Sequence, residues 1–308
     1  MARYTHTMPE IHVSPDEMDV SFEGGDNLLE LMVEQGLPIA HLCGGRARCT
    51  TCRVWIYEGL SNTSERTMNE AAMAERLELP DQVRLACQTT LNGSIGLRRL
   101  VLDKTDEQLD SQLGKSGPSG PVGREVNVAV LFTDIAGYTE MSEALPPYDI
   151  VHLLNRFFHR AGEAIETNAG AVDNYMGDAV LALFGLHGEE DPALCAVRSG
   201  FGVLDAAKEL SYYTERAYRM PFRVRVGIDF GSVLYGTMGA TTSSRETVIG
   251  DTVNVASRLE AANKTTGTEM LVSQSVYDLT KDSFTFGERH DLALKGKQGH
   301  VTAHEVVR

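Results

Sequence analysis

Thr247-Val248-Ile249-Gly250-Asp251-Thr252-Val253-Asn254-Val255-Ala256-Ser257-Arg258-Leu259-Glu260 is the stretch on which the reading of this chain turns. The pattern predicts a helix over Val253–Ala262 after a short extended piece. Asn254 and Arg258 stand four apart and so share a helix face. By default such a pair is a solvated face. It gains meaning from what lies upstream. There, Val126 to Phe132 reads as an apolar strand running into Phe132-Thr133-Asp134-Ile135-Ala136-Gly137-Tyr138-Thr139. Further on, Met176-Gly177-Asp178-Ala179 sits between two strands, which implies a hairpin. Asp134 and Asp178 are thus expected at neighbouring strand ends. Two carboxylates so placed can hold two Mg2+ ions on one nucleoside triphosphate. Amides after Asp134, in a turn with Gly137, can donate to phosphate oxygens.

The connecting pieces alternate. A helix is expected from about Pro147, with Ile150, Leu154, Phe157, Phe158, Ala161 and Ile165 at helical spacing and Gly170 at its end. Another helix follows over Pro192–Leu210, then strands over Phe222–Asp229 and Ser232–Tyr235. A mixed segment closes the chain. This predicts an α+β sheet with helices packed on it.

Towards the N-terminus, Gly114-Lys115-Ser116-Gly117-Pro118-Ser119-Gly120-Pro121-Val122-Gly123 reads as a flexible hinge. It divides the chain into residues 1–102, a linker over 103–125 and a second domain over 126–308. In the first part, Ile11-His12-Val13 and Val20-Ser21-Phe22 read as strands around Ser14-Pro15-Asp16. Asp26 is expected to cap a helix carrying Leu28, Leu29, Met32 and Val33, with Gly36 ending it. Strands follow at Val54–Tyr57 and near Ile95–Val101.

Four of the five cysteines lie here, as Cys43-x5-Cys49-x2-Cys52 and then Cys87. Four thiolates are the number a [2Fe–2S] cluster takes. Gly44 and Gly45 let the backbone wrap closely and offer amides to the sulfurs, and Arg46 and Arg48 add positive charge. The alternative is a zinc site, although zinc sites usually pair two C-x2-C knuckles and only Cys49 and Cys52 form one. Cys195 lies in an apolar helical stretch and reads as core.

Of the 308 residues, 42% are hydrophobic and 23% charged, as in ordinary globular proteins. The formal net charge of −15, with no basic block, argues against nucleic acid and anionic membranes as partners. No apolar run approaches the roughly 20 residues of a membrane span. A polar N-terminus without signal-peptide layout, together with clustered cysteines, leads to the expectation of a cytoplasmic protein.

Residues 1–102 resemble the β-grasp [2Fe–2S] ferredoxins, and the five-residue first gap matches the adrenodoxin-like branch. The region from about Val126 to Val307 resembles class III nucleotidyl cyclases. Four ordered segments carry that resemblance: Phe-Thr-Asp-Ile, Gly-Asp-Ala, the Gly250–Glu260 motif and Leu294-Lys295-Gly296-Lys297. It implies a ferredoxin-like α/β sandwich with a βαββαβ core. By position, Asp134, Asp178 and the Ile135 backbone would hold two Mg2+ or Mn2+ ions. Asn254 would orient the ribose, Arg258 would stabilise the reacting α-phosphate, and Lys295 would bind the terminal phosphates. Phe132, Ile135 and Gly137 would line the substrate. The resemblance further implies ATP as substrate and a homodimer with composite sites.

Two positions would read the purine, Thr247 and Asn174. Adenylyl cyclases have Lys where Asn174 stands. An Asn amide both donates and accepts, so it can serve adenine or guanine. The leading expectation is an adenylyl cyclase regulated through its iron–sulfur domain by redox state, iron, a redox partner protein or a small reductant. The alternatives are a guanylyl or mixed-specificity cyclase, and a non-catalytic nucleotide-binding module on an electron-carrying ferredoxin.

Overall fold

The computed structural model describes residues 8–14, 18–37, 39–100, 123–239, 244–293 and 300–308. Residues 103–122 of the expected linker, Pro15 and Asp16 of the first expected turn, and the segment containing Lys295 lie outside the described residues. The chain groups into two units, Met1–Arg124 with Gly236–Glu246, and Glu125–Tyr235 with Thr247–Arg308.

In the first unit, β1 (Glu10–Ser14) pairs antiparallel with β2 (Met18–Ser21) and parallel with β5 (Ile95–Arg99). Antiparallel to β5 runs β3 (Arg53–Glu58), which also pairs with β4 (Val83–Leu85). The resulting order, β2-β1-β5-β3-β4, is that of a β-grasp. Helix α1 (Leu28–Glu34) buries Leu28, Leu29, Leu31 and Met32 in a core with Ile11, Val13, Val54, Ile56 and Leu97. Its cap is Asn27 rather than Asp26. The Asn27 side-chain oxygen accepts from the amides of Leu29 and Glu30 at 3.0 and 3.3 Å. The Asp26 carbonyl instead accepts from the amide of Leu91, which holds Asp26 outside the helix. Helix α2 (Met68–Arg76), unforeseen in the sequence, is tied to β4 by a buried bidentate pair. Both Glu70 carboxylate oxygens accept from Arg84 at 2.9 Å.

The second unit runs β6 (Arg124–Ile135), α3 (Tyr138–Ala144), α4 (Pro147–Thr167), β7 (Gly170–Met176), β8 (Ala179–Phe184), α5 (Pro192–Tyr218), β9 (Val224–Met238), β10 (Arg245–Ile249), α6 (Asp251–Thr266), β11 (Met270–Ser273), α7 (Gln274–Thr280), β12 (Thr285–Leu292) and β13 (Val301–Val307). The strand order is β12-β13-β11-β9-β6-β8-β7, with β10 paired to β9. Within it, β6-α4-β7-β8-α5-β9 is the expected βαββαβ unit. Its first strand, β6, lies between its last, β9, and its third, β8.

β6 reads as a continuous apolar run because both of its faces are covered. Ala129 and Leu131 join Leu153, Phe157, Ala161, Ala196 and Val203 of α4 and α5. Val128 and Val130 join Leu181, Leu183, Val233, Val248 and Ala256 in a second cluster. The two strands expected over Phe222–Asp229 and Ser232–Tyr235 are one strand, β9. Gly231 does not turn the chain. It makes room for Thr252, whose hydroxyl would lie 2.6 Å from a Cβ at that position. Among the described residues no helix is long and apolar enough to cross a membrane.

Candidate active site and cluster-binding loop

β6 delivers Asp134 at its end, and the β7–β8 turn, with Gly177 at φ 67°, delivers Asp178 beside it. The two carboxyl groups hydrogen-bond to each other. Burial, then this hydrogen bond and the charge of Asp134, push the Asp178 carboxyl up to about 7. The backbone amide of Ile135 donates to Asp134 Oδ1 at 2.8 Å and also supports Asp178. Two oxygen-rich, mutually repelling side chains fit a hard divalent cation, which would replace their shared proton.

A third carboxyl feels the charge of the pair and was not anticipated. Glu260 on α6 is 5% exposed, and burial with the charges of Asp134 and Asp178 raises it to about 7, Arg225 opposing. The sequence held a signal for it: an acidic residue on the helix face that carries Val255, Ala256 and Leu259. The close seat of α6 on β9 explains the proximity. A Cβ at Gly227 would collide with the Ala256 carbonyl and the Glu260 amide.

The same geometry settles where Asn254 and Arg258 point. The buried face of α6 comprises Thr252, Val255, Ala256, Leu259, Glu260 and Asn263. At 3.6 residues per turn, Asn254 and Arg258 lie roughly 120–160° around the helix from Glu260. Asn254 is exposed and Arg258 half-buried. The chain therefore pairs Asp134 with Asp178, sets Glu260 within range of their charge, and carries Asn254 and Arg258 on a different face of α6 from Glu260.

Thr247 on β10 donates its hydroxyl to Asp173 Oδ2 on β7 at 2.9 Å, and Asn174 is the half-buried neighbour of Asp173. Phe132 is half-buried against the second apolar cluster, and Ile135 is buried. Gly137, at φ 77°, starts α3. Of the amides after Asp134 expected to meet phosphate, the first two are already engaged. That of Ile135 serves the carboxylates, and that of Ala136 donates to the Arg223 carbonyl at 2.8 Å.

In the first unit the four thiols form two pairs. Cys52 donates to Cys87 with the sulfurs 3.6 Å apart, and Cys49 donates to Cys43. The Cys52 hydrogen bond holds Cys87 down at about 6, against burial, and correspondingly raises Cys52. Burial raises the Cys43 thiol, but the amides of Arg48 and Arg46 and the Cys49 side chain outweigh it and lower the net value. The Ala47 amide likewise supports Cys87. Positive φ at Gly44, Gly45 and Ala47 winds the loop so that these amides converge. The 3.6 Å spacing is close to the edge of a tetrahedron with metal–sulfur bonds of about 2.3 Å. Among the described residues no three such ligands converge on one ion. Two chelating pairs suit a binuclear cluster better than one zinc ion. Cys195 packs against the main core as expected.

Fold and site together define a β-grasp unit with a four-cysteine loop and a cyclase-type sheet carrying a carboxylate pair. Residues 121–306 match the adenylate and guanylate cyclase catalytic domain, and residues 11–92 match the 2Fe-2S iron-sulfur cluster binding domain. The chain belongs to the adenylate and guanylate cyclase catalytic-domain family. It is 34% identical to an adenylate cyclase of Anabaena cylindrica, over 72% of this chain and 47% of that protein. It is 31% identical to adenylate cyclase 1 of Rhizobium meliloti, over 71% of this chain and 34% of that protein. The chain thus spans less than half the length of these relatives. Among solved structures, the adenylyl cyclase CyaB from P. aeruginosa superposes with a TM-score of 0.56 at 32% identity, covering 60% of this chain and 95% of its own. The guanylyl cyclase Cya2 gives the same TM-score at 27% identity, covering 60% and 93%.

Proposed function

We propose that this protein converts ATP to 3′,5′-cyclic AMP and pyrophosphate in a homodimer with two composite active sites, and that its iron–sulfur unit adjusts the rate. The observation that carries the reading is the orientation of α6. One chain presents an acidic half-site at Asp134 and Asp178 and, facing elsewhere, a polar and cationic half-site at Asn254 and Arg258. Two chains related by a two-fold axis would set the acidic half of each against the cationic half of the other.

Divalent cations held by Asp134, Asp178 and the Ile135 carbonyl would neutralise the triphosphate and favour ionisation of the ribose 3′-hydroxyl. The remaining work falls to the chain. Asn254 holds the ribose so that O3′ lies near the α-phosphorus. Arg258 donates to the α-phosphate oxygens as the O3′–P bond forms and the bond to the β-phosphate bridging oxygen breaks. Removing such a donor typically costs about 10²–10³ in rate. Lys295, outside the described residues, would meet the departing pyrophosphate. Thr247 and Asn174 contact the base. The adenylate cyclases among the relatives support ATP as the substrate.

The test is complementation. Asp134→Ala and Arg258→Ala should each be nearly inactive with MgATP or MnATP. After subunit exchange in an equal mixture, about half the dimers are mixed, and each holds one intact site. About a quarter of wild-type activity should return. If exchange is demonstrated and the mixture stays inactive, the composite site is wrong.

A further inference from the structure

We propose that Asp173 sets the base preference of the nucleotide site by taking the only proton of Thr247, leaving the Thr247 oxygen as a pure acceptor. The ligand class this selects is a purine nucleotide with an amino group at C6. The inference rests on the reading above that Thr247 meets the base, and it adds the residue that decides what Thr247 can recognise.

The argument starts in the backbone of β7. Its pairing with β8 runs Val172 to Ala182 and then Asn174 to Leu181, so Asp173 is the extra residue of a β-bulge. A bulge sets two residues against one and re-aims their side chains. Here it lets Asp173 reach a residue on β10, 74 positions away, whose hydroxyl it accepts at 2.9 Å. Both side chains are half-buried.

A threonine hydroxyl has one proton and two lone pairs, whereas a carboxylate has acceptors only. The direction of this hydrogen bond is therefore fixed: Thr247 donates and Asp173 accepts. What remains on the Thr247 oxygen is lone pairs, which can only receive. The 6-amino group of adenine donates to such an oxygen. Guanine and hypoxanthine present a carbonyl at the same position and would set lone pair against lone pair. Asn174 cannot make this choice, because its amide can turn to offer either its NH2 or its oxygen. Discrimination falls to the neighbour whose polarity is held.

The experiment measures binding of non-cyclisable nucleotides to the full-length protein by calorimetry with Mn2+. The probes are 3′-deoxy-ATP and 3′-deoxy-ITP, since inosine changes the 6-position without adding the 2-amino group of guanine. The wild type should prefer the adenine analogue. In Asp173→Asn the new amide can donate to Thr247 and free its hydroxyl to donate outward, so the preference should fall by about 10- to 100-fold. Thr247→Val should lose the preference, Thr247→Ser should keep it, and adding Asp173→Asn to Thr247→Val should change nothing further.

An unchanged ratio in Asp173→Asn overturns the proposal. So does a wild type that does not discriminate, or an equal effect of Asp173→Asn with and without the Thr247 hydroxyl. If Asp173→Asn binds neither analogue, Thr247→Val decides, and a retained preference there overturns it. Failure of the cyclase reading is seen separately, as absence of cyclic nucleotide from wild-type protein given MgATP or MnATP.

Discussion

Replacing Asp178 by Asn should stabilise the metal-free protein while removing its activity, and the size of the gain should depend on pH in a defined way. The Asp178 carboxyl rises from its ordinary 3.8 to about 7 because it is partly buried against Asp134. Taken at face value, that rise corresponds to about 4 kcal/mol. The side chain is only half-buried, and solvent screening reduces the figure to about 1–2 kcal/mol. Below the unfolded value the group is protonated in both states and costs nothing. Between there and about pH 7 the folded protein keeps a proton the unfolded chain has lost, so wild-type stability declines as pH rises. Above pH 7 the full penalty is present. Asn carries no charge, and its oxygen can still accept from the Ile135 amide. The variant's advantage should therefore be near zero at pH 4 and reach its plateau by pH 8. For a domain of this size the plateau is a Tm rise of about 2–8 °C. The assay is thermal unfolding of full-length protein in EDTA at both pH values. Saturating Mg2+ should reverse the order, because only the wild type binds the ion well. A variant less stable than wild type at pH 8, or equally advantaged at both pH values, would refute the account of the pair.

Other perturbations have equally direct outcomes. Glu70→Ala leaves the buried Arg84 guanidinium without its carboxylate and should cost about 3–5 kcal/mol, read as an earlier loss of cluster absorbance on heating; a change under 1 kcal/mol would show that the pair is replaceable. Gly227→Ala sets a methyl group against the backbone of Ala256 and Glu260, which cannot swing aside, so it should destabilise by about 1–3 kcal/mol and weaken Mn2+ binding. Unchanged unfolding and Mn2+ affinity would mean that α6 is free to lift. If redox state regulates the site, a non-hydrolysable nucleotide that prefers one state tenfold must shift the one-electron cluster potential by about 59 mV. An unmoved potential, with equal activity in dithionite-reduced and air-oxidised protein, excludes that coupling.

How far the sequence could be read depended on the range of the physics involved. Asp134 and Asp178 were legible because each is fixed locally, one by the end of an apolar strand and the other by a Gly turn between two strands. The cysteine loop was legible for the same reason. Its glycines predict a tight wrap, and the amides of Arg46, Ala47 and Arg48 do reach the sulfurs. The helix cap was displaced by one residue, because the backbone of Asp26 is engaged by Leu91, a partner far along the chain. The break expected between Asp229 and Ser232 failed for a related reason. A glycine that turns the chain and one that admits a neighbour look alike in sequence, and only the approach of Thr252 distinguishes them.

The residues missed at the site share one cause. Glu260 matters because α6 faces inward there, and Asp173 because one extra residue in β7 re-aims it. Both facts are properties of register, which a motif does not carry. Asn254 and Arg258 could be placed on one face of a helix from spacing alone. That this face points away from the chain's own carboxylates needed the burial of Val255, Ala256, Leu259 and Glu260 on the other. A motif read by position invites the assumption that its residues converge within one chain. The geometry of α6 argues against that assumption, and a second chain supplying Asn254 and Arg258 is what the proposed reaction would use.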